Sequence, residues 1–386
     1  MITASRLGQT KEYYFSRKLR EVRQRMADGR PVINLGIGSP DLPPAPEVTA
    51  ALQDALAHPK AHQYQSYQGI PELREAIANF YEAHYKVALN AETEVLPLMG
   101  SKEGIMHISM AFLNPGDQVL IPNPGYPTYA AVARLVEADI RTYDLNADQN
   151  WLPDLDALAQ TDLSKVKIMW VNYPHMPTGA TATKDFFVKL IAFAKAHQIL
   201  IVNDNPYSFI LNDTPVSLLE IPDAKEVVLE LNSLSKTFNM AGWRVGMLCG
   251  NAEFIQAVLK VKSNMDSGMF YGLQKGAIAA LGMDKNWFEQ LNGTYARRRE
   301  WAWKIANALG GDFSDNQQGL FVWVKLPEGA SAEAVADRLL EEVDLFITPG
   351  TVFGTAGEGY IRISLCVSLT DLEAAHRRII DKNIQL

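Results

Sequence analysis

Ser233-Leu234-Ser235-Lys236-Thr237-Phe238-Asn239-Met240-Ala241-Gly242-Trp243-Arg244-Val245-Gly246 carries more information than any other part of the chain. A lysine follows directly on a short apolar run, Val227–Leu231, that has the look of a buried strand. Small residues flank it, so its amine has room to meet a bulky group. The surroundings are hydroxyl, glycine and aromatic rather than charged. A desolvated amine there has a lowered pKa, which is what a lysine needs to act as a nucleophile toward a carbonyl. Arg244 follows on the same segment, in front of a second apolar run, Val245–Cys249.

Similar runs lie upstream: Gln118–Ile121, Val166–Val171 and Ile199–Val202. They are short, rich in Val, Ile and Leu, and barely alternate, as expected of strands buried on both faces of a mostly parallel sheet. Between two of them, Thr183–His197 has apolar residues at helical spacing: Phe186 with Leu190, and Phe187 with Ile191. Strand, helix, strand is one βαβ unit. The last third reads differently. Phe313–Leu326 and Ile361–Leu365 are expected as strands, Ser331–Val343 and Leu369–Lys382 as helices. The fold class is therefore α/β, with an added small α+β part. The expected division is a large domain over 45–285 and a small domain built from both chain ends, 1–44 and 286–386.

Ligands in open α/β sheets bind beyond the carboxyl ends of the strands. Asn172 and Tyr173 follow the Val166 run, Asn203, Asp204 and Tyr207 follow the Ile199 run, and Asn232, Ser233, Ser235 and Lys236 follow the Val227 run. One rim thus collects a carboxylate, a phenol, hydroxyls and an amine.

Composition bounds the function. The chain has 386 residues, 47% hydrophobic and 21% charged, with net charge −8 and no long basic run. Nucleic acid is not the expected partner, and any anionic ligand must be drawn by local groups against the overall field. No segment is apolar enough to span a bilayer. The start, Met1-Ile2-Thr3-Ala4-Ser5, runs into Lys11, Glu12, Arg17 and Lys18 without a hydrophobic signal core, so a cytoplasmic location is expected. Cys249 and Cys366 sit in apolar stretches, as buried thiols do. No metal site is expected: among the seven histidines only His58 and His62 approach ligand spacing, and Pro59 opposes a helix there.

Further motifs complete the picture: Asn34-Leu35-Gly36-Ile37-Gly38-Ser39-Pro40-Asp41, Tyr64 to Arg74 with Gly69 and Pro71-Glu72-Leu73-Arg74, Gly100-Ser101-Lys102-Glu103-Gly104, and Asn123-Pro124-Gly125-Tyr126-Pro127. Asp204 to Tyr207, Pro349-Gly350, Phe353-Gly354 and Arg362-Ile363-Ser364 follow. In order and spacing the chain resembles the class I/II aminotransferases among the fold-type I enzymes that use pyridoxal 5′-phosphate. The resemblance covers nearly the whole chain and implies a seven-stranded, mostly parallel sheet flanked by helices.

It also implies roles. Lys236 would hold the cofactor as a Schiff base and, once displaced, serve as the base. Asp204 would pair with the pyridine nitrogen, and Tyr207 would hydrogen-bond the phenolic oxygen. Ser101, Lys102, Ser233, Ser235 and Arg244 would hold the phosphate, with Tyr126 stacked on the ring. Tyr64 of a neighbouring subunit would reach the same phosphate, so a homodimer is expected; Tyr67 is a weaker candidate for that role. Arg362 would clamp the substrate carboxylate, with Gly38 letting the backbone approach. The implied reaction is ping-pong amino transfer between an L-amino acid and a 2-oxo acid, glutamate and 2-oxoglutarate forming one pair, in amino acid biosynthesis. Carbon–sulfur β-elimination on the same scaffold is the main rival. A PLP-sensing regulator is another, but these motifs begin by Asn34, so no attached DNA-binding domain is expected. Tyr13, Tyr14, Phe15, Tyr64 and Tyr67 permit an aromatic substrate without demanding one.

One position departs from the family pattern. His175-Met176-Pro177-Thr178-Gly179 puts Met176 where an asparagine is usual. A thioether cannot donate a hydrogen bond, so Tyr207 is expected to serve the phenolic oxygen alone; His175 is expected in an exposed turn, the alternative being that it swings inward to substitute for the asparagine.

Overall fold

The structure, a computed structural model, describes residues 4–9 and 14–384. Seven strands form the large sheet: β2 (Val95–Leu98), β3 (Gln118–Asn123), β4 (Asp139–Asp144), β5 (Val166–Val171), β6 (Leu200–Asp204), β7 (Val228–Ser233) and β8 (Gly246–Gly250). Their order across the sheet is β2-β8-β7-β6-β5-β3-β4. The strands run parallel except β8, which is antiparallel to both β7 and β2. Successive residues of the central strands feed opposite cores. Ile168 and Trp170 join one buried cluster, Met169 and Val171 the other. Burial on both faces is why these strands read as unbroken apolar runs.

The two edge strands, β2 and β4, were not legible in that pattern. Pro97 interrupts β2, and a proline is tolerated there because an edge strand has one unpaired side. The strand β4 reads Asp-Ile-Arg-Thr-Tyr-Asp and buries only Tyr143.

The antiparallel course of β8 has a functional consequence. The parallel strands β6 and β7 end at the rim, whereas β8 begins there, so Arg244, just before it, reaches the same rim as Asp204 and Ser233. Gly246 makes this approach close: a Cβ there would lie 2.8 Å from the Ser101 nitrogen and 3.0 Å from the Gly100 carbonyl carbon.

The remaining strands lie apart from this sheet. Near the N-terminus β1 (Ile33–Asn34) pairs in parallel with β10 (Leu345–Phe346). The antiparallel sheet β11-β12-β9 joins Thr348–Pro349, Tyr360–Ser364 and Phe321–Lys325. The long helix Lys285–Ala308 and the helices Ala332–Val343 and Leu369–Asp381 cover it. The expected strand from Phe313 is shorter than its apolar ends suggest. Residues 313–320 turn through Ser314-Asp315-Asn316 and Gln318-Gly319, with Gly319 at φ +87°. Gln317 is nonetheless buried, because its amide pairs with both main-chain groups of Trp323 at 2.8 Å. The segment 34–38 is drawn over this small sheet. The Gly36 carbonyl accepts from Thr348 and Arg362, the Ile37 carbonyl accepts from Ser364, and Asp41 forms a two-pronged ion pair with Arg298 at 2.7 Å.

Candidate active site

Between the two sheets lies a cavity of about 360 Å³. It takes in Ser101, Lys102, Tyr126, Asp204, Tyr207 and Ser233, and with them Ser235, Lys236, Arg244, Arg362 and Gly38. Every residue given a role at the site from the sequence lines it except Tyr64 and the weaker candidate Tyr67. The Tyr64 side chain is 91% exposed, on the outer surface beside the half-exposed Tyr67. Tyr13 and the side chains of Tyr14 and Phe15 lie outside the described residues.

The lysine is presented by local hydrogen bonding. Ser233 ends β7, and its hydroxyl accepts from the Ser235 N–H at 3.1 Å, which starts the one-turn helix Leu234–Thr237. That turn directs Lys236 inward, where its amine donates to the Gly38 carbonyl at 2.5 Å. Burial lowers its pKa, and the Arg362 and Arg244 cations add to that push against the opposing pull of Cys366 and Asp204.

Asp204, the last residue of β6, is 5% exposed. Its carboxyl is raised to about 6 by burial, against the weaker downward pull of a hydrogen bond from Tyr129 and the charge of Lys236. The Tyr129 hydroxyl donates to Oδ2 at 2.8 Å, and Oδ1, buried at the cavity, has no partner. An acceptor held bare in this way suits a protonated ring nitrogen, which would return the carboxyl to its charged form. Sequence reading missed Tyr129. It lies one helical turn beyond Tyr126 in Pro127–Leu135 and is fixed by stacking on Trp170, with ring centroids 4.9 Å apart. The i, i+3 spacing from Tyr126 was the available signal.

The anion site stands at the start of the helix Ser101–Phe112, where main-chain N–H groups and the helix dipole favour negative charge. Gly100, at φ +91°, brings this end so near Arg244 that a Cβ would lie 2.2 Å from its Nη2. The Ser233 and Ser235 hydroxyls, 2.9 Å apart, complete the donor set.

Arg362 is buried on β12, its guanidinium between the Phe321 and Phe353 rings at 3.8 and 4.6 Å. Nη2 donates to the Gly36 carbonyl at 2.7 Å, and Nη1 meets the Met176 sulfur at 3.2 Å. A thioether is a weak acceptor that yields readily to a carboxylate. Gly38 lines the cavity, and the space where its Cβ would stand is filled by the Phe321 ring, whose Cζ is 2.2 Å away. His175 is not an exposed turn residue. It is buried, bonded to Thr178 at 2.8 Å, and pushed down to about 3 by burial against a weaker upward pull from the Pro124 carbonyl. It does not line the cavity and cannot replace the asparagine.

Elsewhere among the described residues, Glu103, His107 and Asp266 come within metal-ligand spacing of one another. Asp266 there already receives the buried Lys262 ammonium at 2.7 and 2.9 Å and the Gly268 N–H at 2.7 Å.

Fold and cavity together define an enzyme of the pyridoxal phosphate class: a desolvated lysine, a bare buried carboxylate oxygen, an anion-binding helix end and a carboxylate clamp around one space. Comparison with known proteins narrows the class. The family model for aminotransferase class I and II matches residues 30–379. An LL-diaminopimelate aminotransferase from Dehalococcoides mccartyi is 43% identical over 375 residues, 97% of each chain. The structure of BacF from Bacillus subtilis has a TM-score of 0.95 at 38% identity, over 99% of this chain and 98% of that one. A probable N-succinyldiaminopimelate aminotransferase from Thermus thermophilus has a TM-score of 0.87 at 33% identity, over 95% and 99%. The chain belongs to the class I and II aminotransferase family. It is an aminotransferase with pyridoxal 5′-phosphate as its cofactor.

Two consequences follow from this geometry. Removing the Tyr129 hydroxyl removes a bond that lowers the Asp204 pKa, so the carboxyl becomes neutral at higher pH. In Tyr129→Phe, the acid midpoint of cofactor binding, followed by absorbance, is expected to rise by about half a unit to one unit; an unmoved midpoint rejects the role given to Tyr129. Met176→Asn supplies the missing donor beside the cavity. The pH at which the bound cofactor's visible band changes is then expected to fall by about half a unit or more. If it stays put, residue 176 does not reach the phenolic oxygen.

Proposed function

We propose that this aminotransferase takes LL-diaminopimelate as its amino donor, with 2-oxoglutarate as acceptor and glutamate as product. The observation that carries the reading is the 43% identity, over 97% of both chains, with an LL-diaminopimelate aminotransferase. Further support comes from the arginine clamp, a demand that every donor and acceptor shares.

Bound pyridoxal phosphate supplies an electron-accepting ring for the electron pair left on the donor's α-carbon. Asp204 holds the proton on the ring nitrogen. Tyr207, a phenol that burial keeps neutral, donates to the phenolic oxygen. Arg362 exchanges the Met176 sulfur for the α-carboxylate and fixes the scissile C–H bond. The Lys236 amine, its pKa lowered by burial, would take that proton from the α-carbon and deliver it to C4′ of the cofactor, across the shared nitrogen. Ser101, Lys102, Ser233, Ser235 and Arg244 hold the phosphate, and Tyr126 covers the ring.

The same reading takes the chain as a homodimer in the cytoplasm, with Tyr64 serving the partner's phosphate site. Its support is a large, fully exposed phenol outside its own cavity, with Tyr67, Met265 and Phe270 exposed nearby in sequence or space. No helix among the described residues is long and apolar enough to cross a membrane, and both cysteines are buried and free. The division into domains at 45 and 285 is supported by the pairing of β1 with β10 and by the shared cluster of Leu35 with Phe321 and Ile363.

The test is a screen of half-reactions by cofactor absorbance across the amino acids and LL-diaminopimelate. LL-diaminopimelate and glutamate are expected to convert the cofactor with kcat/KM about tenfold or more above lysine and aspartate, a factor worth about 1.4 kcal/mol of transition-state binding. Lys236→Ala is expected to slow the conversion by about a hundredfold or more. Conversion by aspartate or an aromatic donor but not LL-diaminopimelate rejects the substrate. Pyruvate released from cysteine without a 2-oxo acid would be the sulfur-lyase outcome.

A further inference from the structure

The segment after Asp204 holds a conformation that its own residues do not favour. It turns tightly, the Ile210 N–H donating to the Tyr207 carbonyl at 3.0 Å. Leu211 then takes φ +53°, in the left-handed region where a leucine is strained. Such a residue persists only when its surroundings hold it.

The hold comes from the long helix Lys285–Ala308. The Asn292 Oδ1 accepts from the Leu211 N–H at 2.7 Å, and its Nδ2 donates to the Phe209 carbonyl at 2.9 Å. One amide thus grips two main-chain groups that straddle Ile210, and these partners fix which end is oxygen. One turn earlier on the same face, Phe288 stacks on Phe209 with centroids 5.1 Å apart. The turn is anchored at a third point, where the Ile210 carbonyl accepts from the Gly319 N–H at 2.9 Å. A Cβ on Gly319 would touch the Tyr207 side chain at 3.6 Å, and Phe321 meets that ring edge-on at 6.0 Å. Once the ring is enclosed by Gly319 and Phe321, the tilt of the turn is what sets where the phenol points.

We propose that Asn292 is a positioning residue for the Tyr207 hydroxyl, carrying the placement of the long helix into the hydrogen bond offered to the cofactor's phenolic oxygen. This rests on the role given to Tyr207 above. The sequence offered no hint of it, because Asn292 sits 85 residues from Tyr207 in a helix of ordinary composition.

The experiment is a double-mutant cycle on the cofactor-loaded enzyme, reading the pH at which the bound cofactor's visible band changes. Tyr207→Phe is expected to raise that pH by about one unit, and Asn292→Ala by about half a unit. Asn292→Asp keeps the acceptor and loses the donor, so a smaller rise is expected; it carries the test if the alanine variant melts below assay temperature. In a Tyr207→Phe background, the Asn292 substitutions are expected to add nothing. A shift that persists there, or no shift in the Tyr207-containing enzyme, overturns the proposal. No change in Tyr207→Phe alone removes instead the reading of Tyr207 on which it stands.

Discussion

A carboxylate must carry charge where water barely reaches it. Asp204 ends a fully buried strand, and burial holds its carboxyl up at about 6 even against the downward pull of Tyr129 and Lys236. The chain answers with a donor on one oxygen and an empty place on the other. Tyr129 supplies the first, and the cavity wall leaves the second open. The lysine faces the mirror-image problem. Its amine has to be free of its proton near neutrality, and the same burial that is costly for Asp204 lowers the pKa of Lys236. One desolvated space thus tunes an acid upward and a base downward, and the fold around it serves to keep that space dry and its walls in place.

The walls come from two sheets, and most of the close approaches are made through glycine or through weak contacts. Gly246 lets β8 lie against the start of the phosphate helix, Gly100 lets Arg244 lie across it, and Gly38 admits the Phe321 ring. Arg362 is held between two rings, against the Met176 sulfur and by the Gly36 carbonyl. Aromatic faces and a thioether orient a guanidinium while competing only weakly with an incoming carboxylate.

Much of the rim could be read in advance. The central strands announced themselves because burial on both faces demands unbroken apolar residues, and the polar residues that follow them fall where parallel strands end. Asp204, Lys236, Ser233 and Arg362 were found in that way or by their motifs. The edge strands were not: Pro97 breaks the apolar run of β2, where one side needs no ladder partner, and β4 buries only Tyr143. Residues 313–320 misled because apolar Phe313 and Leu320 enclose a polar turn that is exposed at residues 314–316; within it Gln317 is buried by bonding to the Trp323 main chain, which imitates a strand partner without a strand.

Local chemistry, then, was written in the chain: which amine, which carboxylate and which arginine stand beside small residues at strand ends, and the βαβ order that gathers them. The relations between distant segments were not. That Tyr129 rather than any other phenol meets Asp204, that Met176 lies against Arg362, and that His175 is sealed in the interior follow from how the two sheets pack across the cavity. A side chain's type fixes what it can bond. Its partner is fixed by which faces the tertiary packing brings within 3 Å, and spacing along the chain reports that only when both residues share one helix or one strand.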